Sequence, residues 1–551
     1  MPRNRAPGHA GVARRVAPPD SQPFGGSSRA PVRANRSFSV AVLFTIVGTA
    51  LPGLGLLRAG HRRAGTIVLT CALILVGGIA AIAAFRRQWL LDAAVNPTVL
   101  VGIAAFLLIA GLTWGVVVVA THLSLRPRPA TTSQRAIGAA LVGVLVFAIA
   151  APVGFAAQLS LSQASLVQTV FGGDNTTATT TKIDAADPWK DKSRLNILLL
   201  GGDSGDGRKV SLGARTDTVI VASIDTHTGA TALFQLPRQT ARMPFPKDSP
   251  LYPFYPKGFY DGSNPDNEEF TLNAEYDNVA QKTGRTILGP TSNFGADVLK
   301  LSVGEALGLK LDYYVFVNLD GFVTIIDALG GIEVNVNWTV AIGGNKDAQG
   351  RITVKPVAIL QPEANVHLDG TWALAYARSR LLHDDYYRNV QQRCVINAVL
   401  QSAEPAKVLA NYESIARAGK TSIMTDVPSA LLPTLAELAA KIKGGNLQSV
   451  GFMDGVGGYH YANPNFDEMR EYVQKVIADQ AATVSASTAA SASATPSAST
   501  SATSAAATTP SATATTAPTT QSATTPAATK TAMGAAQDLT DQCAFHPMAA
   551  K

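Results

Sequence analysis

Hydrophobic positions along the chain fall into two regimes. Between residues 37 and 159 they run together in four apolar stretches, roughly 37–57, 64–85, 98–120 and 136–159. A bilayer-spanning helix needs about 20 apolar residues, and the last three stretches meet that length. The first, SFSVAVLFTIVGTALPGLGLL, is interrupted by Pro52, Gly53 and Gly55, so it reads either as a short re-entrant hairpin or as a fourth span. From residue 193 onward the pattern becomes short and periodic. LNILLLGGD, TDTVIVASID, ATALFQLPR, YYVFVNLD and IEVNVNW read as strands, with THTG joining the second and third as a hairpin. VLKLSVGEALGL, GFVTIIDALGG, GTWALAYARSR, RNVQQRCVINAVLQSA and SALLPTLAELAAKI carry helical spacing. Strands interleaved with helices predict an α/β domain, layered α/β/α about a central mixed sheet, with an N-terminal transmembrane helical region before it.

Polar regions delimit these blocks. Residues 1–36, rich in Arg, Pro, Gly and Ser, have no apolar periodicity and read as a disordered basic cytoplasmic tail. Residues 160–192 read as a linker and 193–478 as the globular domain. Residues 481–535 are almost only Ala, Ser, Thr and Pro, which cannot bury a core. The expected 479–551 tail ends in the short DLTDQCAFHP segment.

Charge is as uneven as hydropathy. Residues 1–160 hold fifteen arginines, no lysine, and only Asp20 and Asp92 as acids, for a net +13. The whole chain is +7, so the remainder is −6. The basic character therefore flanks apolar spans and is no evidence for nucleic-acid binding. With three spans and the N-terminus inside, thirteen arginines lie inside and only Arg86 and Arg87 outside. The positive-inside rule thus predicts a multi-pass cell-membrane protein with an extracytoplasmic C-terminal domain.

The stretch YARSRLLHDDYYRNVQQRC, residues 376–394, holds Arg378, Arg380, Arg388 and Arg393. Guanidinium forks match phosphate bidentately and remain charged at any useful pH. On one continuous helix Arg378 and Arg380 would diverge by about 200°. They converge only if the helix ends there, as in LDGTWALAYA followed by an extended RSRLLHDDYY. Surface salt bridges to Asp384 and Asp385 are the plainer alternative. Upstream, Asp203 follows a strand end and a Gly-Gly pair, and Asp217 begins the next strand, two residues after Arg215. Two carboxylates so placed can hold Mg²⁺, which takes one or two carboxylates plus substrate phosphates; equally, an Asp at a turn is often only a cap. QLPRQTARMP adds Arg238 and Arg242 at another strand end, where an ordinary basic turn is the alternative.

In order along the chain, NILLLGGDS, RTDTVIVASID, LPRQT, LNAEYD, DYYVFVNLDGFVTIIDALGGIEVNV, LDGTWALAYARSR and DYYRNVQQRCV resemble the LytR-CpsA-Psr family of bacterial cell-wall enzymes, in its actinobacterial form. The resemblance implies transfer of a glycopolymer, with one phosphate, from a polyprenyl-pyrophosphate carrier to peptidoglycan. It implies Asp203 and Asp217 as Mg²⁺ ligands. It assigns Arg215, Arg238, Arg378, Arg380 and Arg388 to the pyrophosphate, with Gln392 and Arg242 beside it and the lipid tail in the apolar interior. Asp217 and Asp385 are the candidate bases. Three positions depart from the family pattern, each with loss of a charge: Gln239, Gln391 and Thr271. They favour a second reading, a non-catalytic lipid-carrier sensor; a lipid-pyrophosphate hydrolase, with water as acceptor, is a third. A disulfide between Cys394 and Cys543, returning the tail to the domain, is expected, with two free thiols as the alternative.

Overall fold

In the computed structural model, residues 37–171, 177–179, 181, 183–184, 187–202, 215–262, 264, 267–347, 349–403, 411–493 and 536–547 are described. The chain divides into two compact units, residues 1–73 with 114–148, and residues 74–113 with 149–551. Among the described residues, three helices are long and apolar enough to cross a membrane: Arg62–Ile82, Pro97–Leu125 and Thr132–Val170. The stretch before them forms the helix Phe38–Ala50. Its 13 residues rise about 20 Å, short of a hydrocarbon core about 30 Å thick. It ends in a turn at Gly53, φ +99°, where a Cβ would lie 2.4 Å from the carbonyl oxygen of Gly65.

The periodic region builds a seven-stranded mixed sheet. We label its first four strands β1 (Arg194–Gly202), β2 (Thr216–Asp225), β3 (Thr231–Leu236) and β4 (Tyr313–Asn318). The spatial order is 423–425, β4, β1, β2, β3, 447–451, 537–538. β1 pairs antiparallel with β2 and parallel with β4, and β2–β3 is the hairpin expected from THTG. Asp225 Oδ1 accepts the backbone N–H groups of His227 and Thr228 in that turn.

Both faces of the sheet are buried, and the period of two sorts the side chains. Val219 and Val221 face one core with Leu198, Leu200, Phe234 and Phe316; helices 272–283, 294–307 and 466–493 cover it. Ile220, Ala222 and Ile224 face the other, covered by helices 370–378, 385–402 and 432–444. The result is the α/β/α layering that the sequence predicts. Three small antiparallel ribbons, 332–336 with 363–368, 340–342 with 358–360, and 345–346 with 352–354, extend from the second layer.

The C-terminal segment rejoins this domain. Gln537 and Asp538 pair with Ser449 and Gln448 at the sheet edge. Leu539 is buried in the second core, and Asn335 and Asn337 donate to the carbonyls of Cys543 and Ala544. Cys394 and Cys543 form a disulfide across 149 residues of sequence.

Candidate functional site

A cavity of about 330 Å³ lies between the second face of the sheet and the helices over it. Leu199, Ile220, Val317, Phe322, Leu374 and Ile396 make its apolar wall. At its mouth β1 ends in Gly201-Gly202. Glycine is required at 202 because a Cβ there would sit 2.3 Å from the Phe316 ring on the neighbouring strand. Asp203, the residue after it, lies outside the described residues.

Four guanidiniums line this cavity: Arg238, Arg378, Arg380 and Arg388. Each arrives by a different local device. Arg238 follows β3, in a turn fixed on the LNAEYD helix by Asn273 N–H donating to Arg238 O at 3.0 Å and Leu272 N–H to Thr240 O at 2.9 Å. Arg378 is the last residue of the helix Gly370–Arg378, capped at its start by Asp369. The helix stops at Ser379, whose ψ of 128° is extended and whose Oγ donates to Ala341 O at 2.6 Å. That break lets Arg378 and Arg380, two apart, line one cavity.

Asp384 then caps the helix Asp385–Ser402. Residues 385, 388 and 392 are spaced three and four apart and share one helical face. Asp385 sits in the first turn, where a negative charge is favoured. It gathers three of the arginines: Arg238 Nε at 3.5 Å, Arg380 Nη1 at 3.5 Å and Arg388 Nη2 at 3.4 Å. Asp217 on β2 accepts from Arg238 Nη1 at 2.7 Å. Burial opposes the Arg238 charge, but Asp217 and Asp385 outweigh it and raise its pKa. Arg388, only 4% exposed, is different: burial lowers its pKa, with Asp385 offsetting part of the effect. Its Nε is buried with no protein hydrogen-bond partner. Among the described residues, four guanidiniums against two carboxylates leave the mouth with two positive charges in excess.

The remaining candidates fall as follows. Gln392 lines the cavity, accepting from Gln235 Nε2 at 2.7 Å and donating to Ala377 O at 3.4 Å. Arg215 does not line the cavity; it is exposed and ion-paired with Glu269, which also accepts from Asn278 at 2.8 Å. Arg242, at φ +55°, stacks 4.4 Å over the ring of Tyr260, away from the cavity lining. Arg393, although in the same short stretch, is wholly buried elsewhere in the core. Among the described residues no group of three or more His, Cys, Asp or Glu is placed to hold a metal ion. The sequence pattern points to an apolar interior for the lipid tail but not to the particular residues of its wall, nor to Glu269. The wall residue Phe322 lies in the helical spacing of GFVTIIDALGG, which was signal enough to find it.

The model of the LytR_cpsA_psr family matches residues 161–476, more than half of the chain. The "Polyisoprenyl-teichoic acid--peptidoglycan teichoic acid transferase TagU" of Enterococcus faecalis is 28% identical over 273 residues, 48% of this chain and 74% of that protein. The protein of the same name from Oceanobacillus iheyensis is 30% identical over 256 residues, 45% of this chain and 63% of that one. The crystal structure of B. subtilis TagV aligns with a TM-score of 0.35 and 22% identity, covering 52% of this chain and 97% of that one.

Proposed function

The chain belongs to the LytR_cpsA_psr family, and from that premise we propose that it is a membrane-anchored phosphotransferase of cell-wall assembly. It moves a glycopolymer, with one phosphate, from a polyprenyl-pyrophosphate carrier to peptidoglycan. One observation carries this reading: an apolar cavity of about 330 Å³ opens under a mouth with two excess positive charges. A pyrophosphate diester bears a negative charge on each phosphate, so the positive mouth attracts the headgroup while the isoprenoid fills the space along the apolar wall. The transferase names of the two TagU proteins support the same chemistry.

The acceptor hydroxyl attacks the phosphorus that carries the sugar and gives up its proton to a carboxylate, for which Asp217 and Asp385 are the candidates. The bond from that phosphorus to the bridging oxygen breaks, and polyprenyl monophosphate leaves with the electron pair. Arg238, Arg380 and Arg388 are held by Asp217 and Asp385 before substrate arrives, so they stabilise charge growing on the bridging and non-bridging oxygens with little reorganisation, and Arg378 on the cavity lining adds a fourth positive charge. Asp385 fixes three of these forks relative to one another. Mg²⁺ supplies Lewis-acid stabilisation when bound. Asp217, with Asp203 from outside the described residues, would hold it, a hard-oxygen donor set of the kind this ion takes alongside substrate phosphates. Arg215 and Arg242, outside the cavity lining, are assigned to the approach of the headgroup or acceptor. Three apolar helices and the arginine bias support a multi-pass anchor with the catalytic domain outside.

The test uses the full chain in detergent with a short-chain polyprenyl-pyrophosphoryl sugar, Mg²⁺ and peptidoglycan fragments, and Arg378→Ala as control. Mass spectrometry then looks for a phosphate-linked sugar–peptidoglycan adduct. An adduct that needs Mg²⁺ and disappears in the variant is the expected result. Tight lipid binding without product would replace the reading with a carrier sensor, and free phospho-sugar alone would replace it with a hydrolase.

A further inference from the structure

Arg393 is the arginine of the 376–394 stretch that the cavity does not use. It is 0% exposed, and among the described residues it forms no ion pair with a carboxylate. Its Nη1 donates to Gln235 Oε1 at 2.7 Å, and its Nε to Gln542 Oε1 at 3.3 Å. Gly451 makes room for it: a Cβ there would lie 2.5 Å from Arg393 Nη1. Burial draws its pKa down to about 10, so it stays charged at neutral pH.

A buried cation held by neutral amides costs stability, because a charge out of water is compensated only by dipoles. What it contributes is polarity. A guanidinium has donors only, so Gln235 must turn its oxygen toward Arg393. The Gln235 Nε2 then faces the other way and donates to Gln392 Oε1 at 2.7 Å. With its oxygen so engaged, Gln392 presents Nε2 to Ala377 O, at 3.4 Å, and the residue lines the cavity. Neither amide can flip without setting donor against donor.

We propose that Arg393 and Gln235 are positioning residues that hold the Gln392 amide as a hydrogen-bond donor in the cavity mouth, so that this part of the wall accepts an anion and disfavours a donor. The inference rests on the pyrophosphate reading above. It also gives the C-terminal segment a part in the site, because Gln542 supplies the second acceptor for Arg393 and is itself held by Ser449 Oγ at 3.1 Å.

The test compares Gln235→Glu with the unaltered full chain in detergent, titrated with farnesyl pyrophosphate and with farnesol. The substitution keeps an acceptor for Arg393, so the fold retains its buried partner. It removes the donor to Gln392, whose amide then turns its N–H groups toward position 235 and its oxygen toward the phosphate. Pyrophosphate affinity is expected to fall about tenfold, the scale of one hydrogen bond to a charged group, with farnesol affinity and the thermal midpoint unchanged. Gln235→Leu, which removes the donor without adding charge, is the companion variant and must show the same split between ligands. Combining Gln235→Glu with Gln392→Leu should weaken binding no further than Gln392→Leu alone, since the first acts through the second. Unchanged pyrophosphate affinity, or equal loss for both ligands, overturns the positioning role. If the unaltered chain binds farnesol as tightly as farnesyl pyrophosphate, the pyrophosphate reading itself fails.

Discussion

Arg388→Met separates stability from function at this site. In the free protein Arg388 has one long ion pair, Nη2 to Asp385 Oδ2 at 3.4 Å, and a buried Nε with no protein partner. Leaving such a donor unpaired costs about 1–3 kcal/mol. The substitution removes that cost and the desolvation of the charge, and it forfeits the ion pair. Asp385 keeps Arg238 and Arg380. These terms nearly cancel, as they do when buried ion pairs are replaced by apolar side chains of similar volume. Ligand binding has no such compensation: a charge-assisted hydrogen bond contributes about 1.5–3 kcal/mol, or about 10- to 100-fold in affinity. The assay is thermal unfolding of the full chain in detergent, followed by titration with farnesyl pyrophosphate. A midpoint within a few degrees of the unaltered protein, with at least tenfold weaker binding, is expected. A large fall in the midpoint with intact affinity would refute the reasoning and make Arg388 a structural cation.

Three further outcomes follow from the packing. Breaking the Cys394–Cys543 bond, by reductant or by the paired Cys394→Ser and Cys543→Ser changes, releases a 149-residue loop; chain entropy puts the loss at about 5 kcal/mol at most, visible as a lower unfolding midpoint, and an unchanged midpoint would count against it. Glu275 is fully buried with one oxygen bonded by Ser302 and the other unpartnered, and burial raises its pKa well above the ordinary glutamate value. The folded state therefore holds this proton more tightly than the unfolded chain, and its contribution is complete below the unfolded pKa and lost as pH rises toward the folded one. Glu275→Gln should then be more stable than the unaltered chain at pH 8, with the gap closing toward pH 4.5; a pH-independent gap would exclude this account. Lys300→Met leaves Asp426 buried without its 2.7 Å partner, which should cost about 3–5 kcal/mol in denaturant unfolding, and a loss under 1 kcal/mol would mean the carboxyl finds another partner or a proton.

Much of this was legible because local chemistry and tertiary placement agree. The end of the helix at Arg378 follows from the need for Arg378 and Arg380 to converge, and the backbone turns extended at Ser379. The THTG hairpin and the five helices with apolar spacing are present for the same reason. Arg393 was not legible. It lies five residues after Arg388 on one helix, about 140° around it, so nearness in sequence carried it away from the cavity and into the core. Arg215 was read beside Asp217, but its ion pair with Glu269 comes from a short 3₁₀ turn with no pattern of its own. The strands 423–425 and 537–538 are too short for periodicity to announce them, and their partners lie far away in the chain.

Strand 537–538 has a consequence for any shortened version of this protein. Composition invites a cut near residue 478, where the globular pattern gives way to Ala, Ser, Thr and Pro. Such a cut removes the pairing that covers Gln448 and Ser449 and bares the rim of strand 447–451. An uncovered strand rim offers its unpaired N–H and C=O groups to the same rim of another molecule. The shortened protein should therefore self-associate through that rim, and the two residues Gln537 and Asp538 act as a guard against aggregation as well as the end of a sheet.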